Sequence, residues 1–390
     1  MASWGRGARR SAVALVVCLA AVVAFVIAVR FGDSPDRSPD GGVTTSASPT
    51  PSDLPSPTPS PSSTYRSPTP GPSGERHFVY PGGDDSAAGT RSAPWRTLEK
   101  ALTALRPGDV LTVGDGTYEE KLTDLEVRAG TPSEPISVVA EAGSPRSRPV
   151  LRGLLWLQNA DYWSFRGLNV TWSDSSSSDE HMVKFDGGTG WSFTDAEVSD
   201  ARTYAAILVT GNARNWRLAD LFVHATQKTH SSNQDHLIYV SSTDGGGLIE
   251  HCLLTDSPNG RAVKLGPPGD TSDPVRGVTV RYNTMYDNLG PSNIQLSRAA
   301  SDNRIYRNIL ARPGADEPNV RAFKLEGQSN LVYQNLVFDS TGAVSPDVDG
   351  LEDAGGNVER DPKFADPEHD DFHPLDDVAK SYGRYAGESE

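Results

Sequence analysis

The 390-residue chain contains almost no cysteine, and its two thiols, Cys18 and Cys252, lie far apart. Cys18 falls in an apolar run near the N-terminus and Cys252 in the body of the chain, so the body cannot form an internal disulfide. An exported fold of this composition must therefore be held together by packing and hydrogen bonds.

Positive charge is also scarce, with 36 Lys and Arg against 51 Asp and Glu and a formal net charge of −15. An acidic body argues against nucleic acid as a partner, because phosphate backbones are bound by basic surfaces. The sequence has no phosphate-binding loop, no nucleotide-binding pattern and no Ser-His-Asp arrangement. We expect a monomer that does not bind nucleic acid.

The long apolar run covers residues 12–29, which carry no charge and follow Arg6, Arg9 and Arg10. As a helix, 18 residues would span about 27 Å, close to the thickness of a bilayer core. We favour an uncleaved signal anchor in residues 1–30 over a cleaved signal peptide, whose apolar run is usually shorter. The basic flank predicts a single-pass cell membrane protein with a cytoplasmic N-terminus and an extracytoplasmic body.

Residues 31–75 are predicted to be a disordered linker. From Ser34 to Glu75 the chain has 11 Pro, 11 Ser and 6 Thr among 42 residues, too few apolar groups for a core. Proline-rich chain tends to extend by about 3.1 Å per residue, so the linker would reach on the order of 100 Å from the membrane.

The body, residues 76–390, repeats one phrase. "NRIYRNILARP" begins at Asn303 and "NLVYQNLVFDS" begins at Asn330, and weaker copies bring the total to seven, with a mean spacing of about 28 residues. The third position of each copy is apolar. These positions are Phe165, Phe193, Leu218, Ile249, Val280, Ile305 and Val332.

Each copy is followed by a loop and a second short strand, such as "AILVT", "LIYVS" or "AVKLG", in which apolar residues alternate. This alternation indicates strands with one buried face. A repeat of this length favours a solenoid or a propeller, and a propeller blade would need four strands from about 40 residues. We therefore predict an all-β parallel β-helix, in which equivalent residues of successive coils stack about 4.8 Å apart.

Stacking explains why the asparagines recur. Asn283, Asn308 and Asn335 should form one column, continued in earlier coils by Leu168, Ala196, Leu221 and Cys252. Side-chain amides stacked in this way can bond along the axis and satisfy backbone groups at the turn. We interpret these asparagines as structural.

Two end segments resemble a known family. "FVYPGGDDSAAGTRSAPWRTLEKALTALRPGDVLTVGDGTYEEKL", from Phe78 to Leu122, is similar to the entry segment of secreted right-handed parallel β-helix proteins of the pectate lyase-like superfamily. "NVERDPKFADPEHDDFHPL", from Asn357 to Leu375, is similar to their closing segment. Pro94 could open a capping helix whose Trp95, Leu98, Leu102 and Leu105 share one face. The resemblance implies the right-handed coil and a carbohydrate partner.

The charge pattern marks one stretch as a candidate site. Arg261 to Lys324 carries ten Lys and Arg against six Asp and Glu, although the whole chain is acidic. In β-helix lyases that cleave uronate-containing chains, a lysine removes the proton next to the carboxylate, and an arginine or a calcium ion neutralises that carboxylate. Lys264 and Arg298 resemble such a pair, although outward lysines on a solenoid are often a solvated face.

We predict that further residues bind the substrate around this pair. Alignment of the second strands places Tyr239, Lys264, Gln295 and Lys324 in one outward column. Asp235, His236 and Arg261 should lie beside it, in or near the loop that contains His230. His230, Asp235 and His236 could instead bind a metal or transfer protons, but we favour surface polar groups, because no helix fixes their spacing.

The function stays open between two classes. One is an enzyme that degrades cell-wall or environmental polysaccharide, with a lyase favoured over a hydrolase because the close aspartates of polygalacturonases are absent. The other is a non-catalytic protein that binds wall glycan or a surface partner. Calcium is a candidate cofactor at Asp84 and Asp85 or at Asp370 and Asp371, which are also ordinary turn residues. Aromatic platforms for sugars could be provided by Trp172, Tyr204, Tyr239 and Tyr286.

Overall fold

The computed structural model describes residues 73–141, 148–230, 234–269, 273–314 and 317–387. The predicted anchor at residues 12–29 and nearly all of the predicted linker at residues 31–75 lie outside these ranges. Within them, no helix combines the length and the apolar character needed to cross a membrane.

The described chain is built from short strands. The first fifteen are β1 (Arg76–Val79), β2 (Val110–Val113), β3 (Thr117–Leu125), β4 (Ile136–Ala140), β5 (Val150–Gln158), β6 (Trp163–Arg166), β7 (Asn169–Thr171), β8 (Val183–Asp186), β9 (Ser192–Thr194), β10 (Glu197–Ser199), β11 (Ala205–Thr210), β12 (Trp216–Ala219), β13 (Phe222–His224), β14 (His236–Val240) and β15 (Thr243–Glu250).

The remaining strands are equally short, and helices are few. The strands are β16 (Leu253–Ser257), β17 (Val263–Leu265), β18 (Val275–Arg281), β19 (Thr284–Asn288), β20 (Ile294–Arg298), β21 (Ala300–Ser301), β22 (Arg304–Tyr306), β23 (Ile309–Pro313), β24 (Val320–Leu325), β25 (Asn330–Tyr333), β26 (Leu336–Phe338), β27 (Leu351–Gly355), β28 (Val358–Glu359), β29 (Phe364–Asp366) and β30 (Asp371–Pro374). The helices are α1 (Leu98–Ala104) and two 3₁₀ turns, Pro367–His369 and Ala379–Ser381.

Strands of successive coils pair in parallel, which confirms the predicted right-handed parallel β-helix. A 12-stranded sheet contains β1, β2, β4, β6, β9, β12, β15, β18, β22, β25 and β27, with β21 beside β18. A 16-stranded sheet has two arms that meet at β5, which also pairs with β3. One arm runs through β8, β11, β14, β17, β20 and β24, and the other through β7, β10, β13, β16, β19, β23, β26 and β28.

The predicted core column is confirmed residue by residue. Phe165 pairs with Phe193, and the register continues coil by coil until Ile305 pairs with Val332. Every side chain in this column is fully buried. Because the side chain is apolar in each coil, the solenoid has a continuous hydrophobic centre and needs no disulfide.

The predicted asparagine column is also confirmed. The side-chain amide of Asn283 donates to Asn308 at 3.0 Å, and that of Asn308 donates to Asn335 at 2.9 Å. The column continues to Asn357, which accepts from Asn335. The structure contains two further ladders that the sequence analysis missed: Asn303 with Asn330 at 2.8 Å, and Asn293 with Asn319 at 2.7 Å.

Helix α1 packs against β1 and β3 near the first coils, but it begins later than predicted. Thr97, not Pro94, is its N-cap residue, and the Thr97 hydroxyl accepts from the Lys100 amide. Glu120 on β3 accepts the first two amide protons of the helix, from Leu98 at 2.8 Å and Glu99 at 2.9 Å. A half-buried carboxylate therefore fixes the start of the helix, since the first amides have no partner within it.

The C-terminal strap, Gly383 and Arg384, lies across four coils. Gly383 donates its amide to Arg307 at 2.9 Å, and Arg384 donates its amide to Thr284 at 3.1 Å. The Arg384 carbonyl contacts the His251 ring at 2.9 Å, one coil before Thr284. The Arg384 guanidinium donates to the Leu221 carbonyl at 2.9 Å, one coil earlier again. The last described residues are thereby tied to a turn more than 160 residues earlier in the chain.

Candidate active site

Four strands of one sheet arm position the site. Tyr239 on β14 pairs with Lys264 on β17, Lys264 pairs with Gln295 on β20, and Gln295 pairs with Arg321 on β24. The first three residues of this column confirm the predicted register. Because each coil rises by about 4.8 Å, the four side chains form a file along the solenoid axis.

A cleft of about 340 Å³ opens on this file. Four of the predicted residues line it together: Arg261, Lys264, Gln295 and Arg298. The other lining residues are Gln234, Pro267, Gly269, Ser297, Arg321 and Phe323. The charged side chains among these described residues are all cations, so the cleft suits an anion.

Lys264 is a half-buried lysine within the cleft. Its ammonium lies 4.2 Å from the centre of the Tyr239 ring. Burial lowers the pKa of Lys264 from 10.5 to about 8, and the neighbouring charge of Arg261 adds to the effect. A sizeable fraction of this lysine is therefore neutral just above neutral pH and can accept a proton.

Arg261 is almost completely buried, with 2% of its surface exposed. Its Nε donates to the Ser292 hydroxyl at 3.1 Å. Burial and the charge of Arg321, partly offset by Glu317, together lower the pKa of Arg261 to about 10. Within the described part of the chain, no carboxylate forms an ion pair with Arg261 or Lys264. Burying a cation without a counter-ion is costly, so this arrangement favours an anionic ligand.

Arg298 and Arg321 lie on the outer side of the cleft. Arg298 ends β20 in a left-handed conformation with φ of 54°, at a register shift between β20 and β24. The Arg298 Nη1 lies 3.7 Å from Oε1 of Glu326, and the Arg321 Nη1 lies 3.7 Å from Oε1 of Glu317. Both guanidinium-bearing residues also line the cleft.

His236 does not line the cleft, although it was predicted to bind substrate. It is 1% exposed, and its Nδ1 accepts the backbone amide of Arg261 at 3.2 Å. Burial, together with the charges of Lys264 and Arg261, holds the pKa of His236 well below its usual range. The neutral imidazole therefore packs beneath the two cations and positions the Arg261 backbone.

Asp235 is likewise buried, and it holds the loop before β14 in place. Its carboxylate accepts the backbone amides of Thr229 and His230, both at 3.2 Å, the Thr229 hydroxyl at 2.8 Å, the His230 ring and the Asn259 amide. Burial raises the pKa of Asp235, but these hydrogen bonds outweigh it and lower the pKa below its usual value. The prediction that Asp235 and His236 are surface polar groups is wrong, because both are fully packed.

The predicted position of Lys324 in the column is also wrong. β24 pairs three residues earlier than expected, so Arg321 lies over Gln295, and Lys324 is exposed outside the residues that line the cleft. The Asn293–Asn319 ladder fixes this register, because each asparagine directly precedes its strand. The sequence carries the signal as "NIQ" and "NVR", but Arg321 was not predicted, because "FKL" resembles the "VKL" of β17.

Of the four proposed aromatic platforms, Tyr204 is the exposed one, with 37% of its surface accessible. Its ring stacks on that of His230 with 3.6 Å between centroids. Trp172 and Tyr239 are buried, and Tyr286 packs edge-on against Phe372. His230 therefore covers one face of the single exposed ring among these four described aromatic residues.

The two candidate calcium sites are occupied by local hydrogen bonds. Asp84 accepts from Ser86, and Asp85 accepts the amides of Arg96 and Thr97 before α1. Asp371 accepts from His373 in the same way. Across the described ranges, no group of three or more His, Cys, Asp or Glu side chains is placed to hold a metal ion.

Comparison with known proteins is consistent with this architecture. Residues 81–125 match a family described as a protein of unknown function, DUF1565. Over 110 residues the chain is 29% identical to pectate lyase PEL9 of Emericella nidulans, a match that covers 24% of this chain and 27% of that protein. The sequence similarity thus spans about a quarter of this relative.

Solved structures show the similarity over a larger part of the chain. Pectate lyase Pel9A aligns with a TM-score of 0.52 and 14% identity over 75% of this chain and 82% of its own. A glycoside hydrolase aligns with a TM-score of 0.50 and 8% identity over 73% of this chain and 96% of its own. At these identities the comparison establishes the fold, and the resemblance to the pectate lyase-like superfamily is confirmed at that level.

Proposed function

We propose that the chain binds uronate-containing polysaccharide in the cationic cleft and cleaves it by β-elimination. The observation that carries the proposal is that the almost completely buried Arg261 and the half-buried Lys264 line one cleft, with no described carboxylate paired to either. A bound uronate carboxylate would supply the missing counter-charge. The similarity to pectate lyases supports a glycan as the source of that anion.

The cleft residues suit the steps of an elimination. Arg298 and Arg321 offset the substrate carboxylate, which makes the proton on the adjacent C5 carbon more acidic. Neutral Lys264 takes that proton, the C–H electrons form the C4–C5 double bond, and the bond from C4 to the glycosidic oxygen breaks. The departing oxygen takes a proton from water. A lysine with a pKa of about 8 can serve as this base near neutral pH.

Product absorbance tests the proposal directly. The full-length chain, purified in mild detergent, is incubated with alginate, pectate, chondroitin or dermatan, and the ultraviolet absorbance of the unsaturated uronate is followed. We expect an increase with at least one polymer. The reaction is assigned to this cleft if Lys264→Met abolishes the increase while the variant melts like the parent.

The second candidate is a glycan-binding protein without catalysis. One observation favours it: the described side chains that line the cleft include no carboxylic acid or imidazole that could protonate the departing oxygen. This function would be selected if the immobilised chain retained polyuronate and none of the four polymers gave an unsaturated product.

We also propose that the β-helix is displayed outside the cell membrane on an anchor. This proposal rests on the uncharged run at residues 12–29 and the Pro, Ser and Thr-rich segment at residues 31–75. The chain should sediment with membranes, and proteolysis within residues 31–75 of intact cells should release the β-helix. Recovery of the intact chain in a membrane-free fraction would contradict the anchor.

A further inference from the structure

The donor groups that line the cleft do not suit calcium. Calcium takes six to eight oxygen ligands, and carboxylates supply most of the charge in protein sites. Here the described lining offers the neutral oxygens of Gln234, Gln295 and Ser297 among four cations. A divalent cation placed in this cleft would be repelled by every charged side chain that lines it.

Among the described residues, the acidic side chains beside the cleft residues already have partners. Asp235 follows Gln234, but its two oxygens accept five hydrogen bonds from Thr229, His230 and Asn259. A carboxylate has about four lone-pair positions, so no acceptor capacity remains for a metal. Glu317 lies 3.7 Å from Arg321 and Glu326 lies 3.7 Å from Arg298, and neither glutamate is among the residues that line the cleft.

The arginines, in contrast, surround the site at which a substrate carboxylate would bind. Arg261 lies beneath Lys264, Arg321 lies two strands along the axis from Lys264, and Arg298 extends from the strand between them. Two or more guanidinium groups can bind one carboxylate through paired N–H donors.

We propose that this cleft neutralises the substrate carboxylate with arginines alone, so that binding of uronate does not require calcium. The inference rests on the proposed function and concerns the same site. It distinguishes this chain from lyases of similar fold in which a metal ion does that work.

Calorimetric titration of the full-length chain tests the inference through binding rather than activity. The Lys264→Met variant, which should not turn over, is titrated with tetragalacturonate, tetramannuronate and tetraguluronate in EDTA and again in calcium chloride. We expect the Kd of the best ligand to agree within twofold between the two buffers. The parent chain at pH 6, where Lys264 is protonated and slow, gives the same comparison if the variant is unstable.

Arginine variants complete the test. Arg298→Gln and Arg321→Gln should each weaken binding at least tenfold in both buffers. Arg304→Gln, an exposed arginine on β22 of the other sheet, should leave Kd unchanged and serves as the matched control. A Kd that weakens tenfold or more in EDTA and recovers with calcium would overturn the inference but leave the proposed function intact. Absence of binding in both buffers would overturn both.

Discussion

The ammonium of Lys264 lies 4.2 Å from the centre of the Tyr239 ring, on the coil directly before it. A ring stabilises a cation by only about 0.5–2 kcal/mol, less than the desolvation that burial costs. Lys184, the other lysine of the column, also lies over a ring, that of Trp156 at 5.4 Å, but it pairs with Asp186 at 2.8 Å as well.

Replacing Lys264 should therefore abolish elimination. Lys264→Met keeps the length of the side chain and removes its basic nitrogen, so kcat/KM should fall by about 10²–10⁴. Lys184→Met is the matched control, because Lys184 points outward from the same column three coils earlier, and it should retain activity within a few fold. Equal losses in both variants would show that the column matters only as a charged surface.

The rate should rise with pH through the pKa of Lys264. Because the base is active when neutral, kcat/KM should increase about tenfold per pH unit below the midpoint and level off above it. That midpoint should lie near 8, the value set by burial and by Arg261. Arg261→Met removes the nearby charge and should move the midpoint upward, whereas a rate that falls between pH 6 and 8 would exclude Lys264 as the base.

The lowered pKa of Lys264 should also make the free energy of unfolding depend on pH. Between about pH 8 and 10.5 the unfolded chain keeps the lysine proton and the folded chain has lost it, so the free energy of unfolding should rise with pH in that window. Lys264→Met lacks this proton and should show a shallower rise. Denaturant unfolding of both proteins at pH 7 and pH 10 measures the difference, and identical slopes would mean that Lys264 titrates normally.

Breaking the asparagine column should destabilise the solenoid. Asn308→Leu leaves the buried amide of Asn283 and the carbonyl of Val280 without partners, which should cost about 3 kcal/mol in the free energy of unfolding. Asn357→Ala, at the half-buried end of the same column, should cost about 1 kcal/mol, because water can replace the lost bond. Chemical denaturation measures both losses in the free energy of unfolding. Equal losses for Asn308→Leu and Asn357→Ala would show that burial within the column adds nothing to each hydrogen bond.

Removing the Asp235 carboxylate should loosen the loop before β14. Asp235→Ala deprives Thr229 and His230 of their shared acceptor and should cost about 3 kcal/mol, with faster hydrogen exchange of their amides. Asp244→Ala, which breaks only the exposed pair with Arg214, should cost under about 1 kcal/mol. Unchanged exchange at Thr229 and His230 would show that the loop is held by packing.

The sequence predicted the coil better than it predicted the cleft. The core column from Phe165 to Val332 could be identified because one apolar residue recurs in each coil, and a one-residue slip would expose the whole column. Lys324 was misplaced because β20 and β24 are short and can be aligned in more than one register. The buried Asn293–Asn319 hydrogen bond decides which register forms.

The hydrogen bonds of Asp235 and His236 could not be predicted either. Their partners lie on the loop before β14 and on the following coil, and loop conformation has no periodic signal in the sequence. Strand register predicted that Lys264 lies beside Gln295, and Arg261 and Arg298, which are close to them in the sequence, line the same cleft.

The C-terminal strap should couple the unfolding of the last coils of the solenoid. Solenoids interact mainly between neighbouring repeats, so their ends can fray one repeat at a time. Arg384 bridges from the coil of Thr284 to the turn at Leu221, so the final repeats cannot peel away without also releasing an inner one. Loss of structure at this end should therefore be cooperative, and a proteolytic cut just before Gly383 should turn a single melting transition into a gradual one.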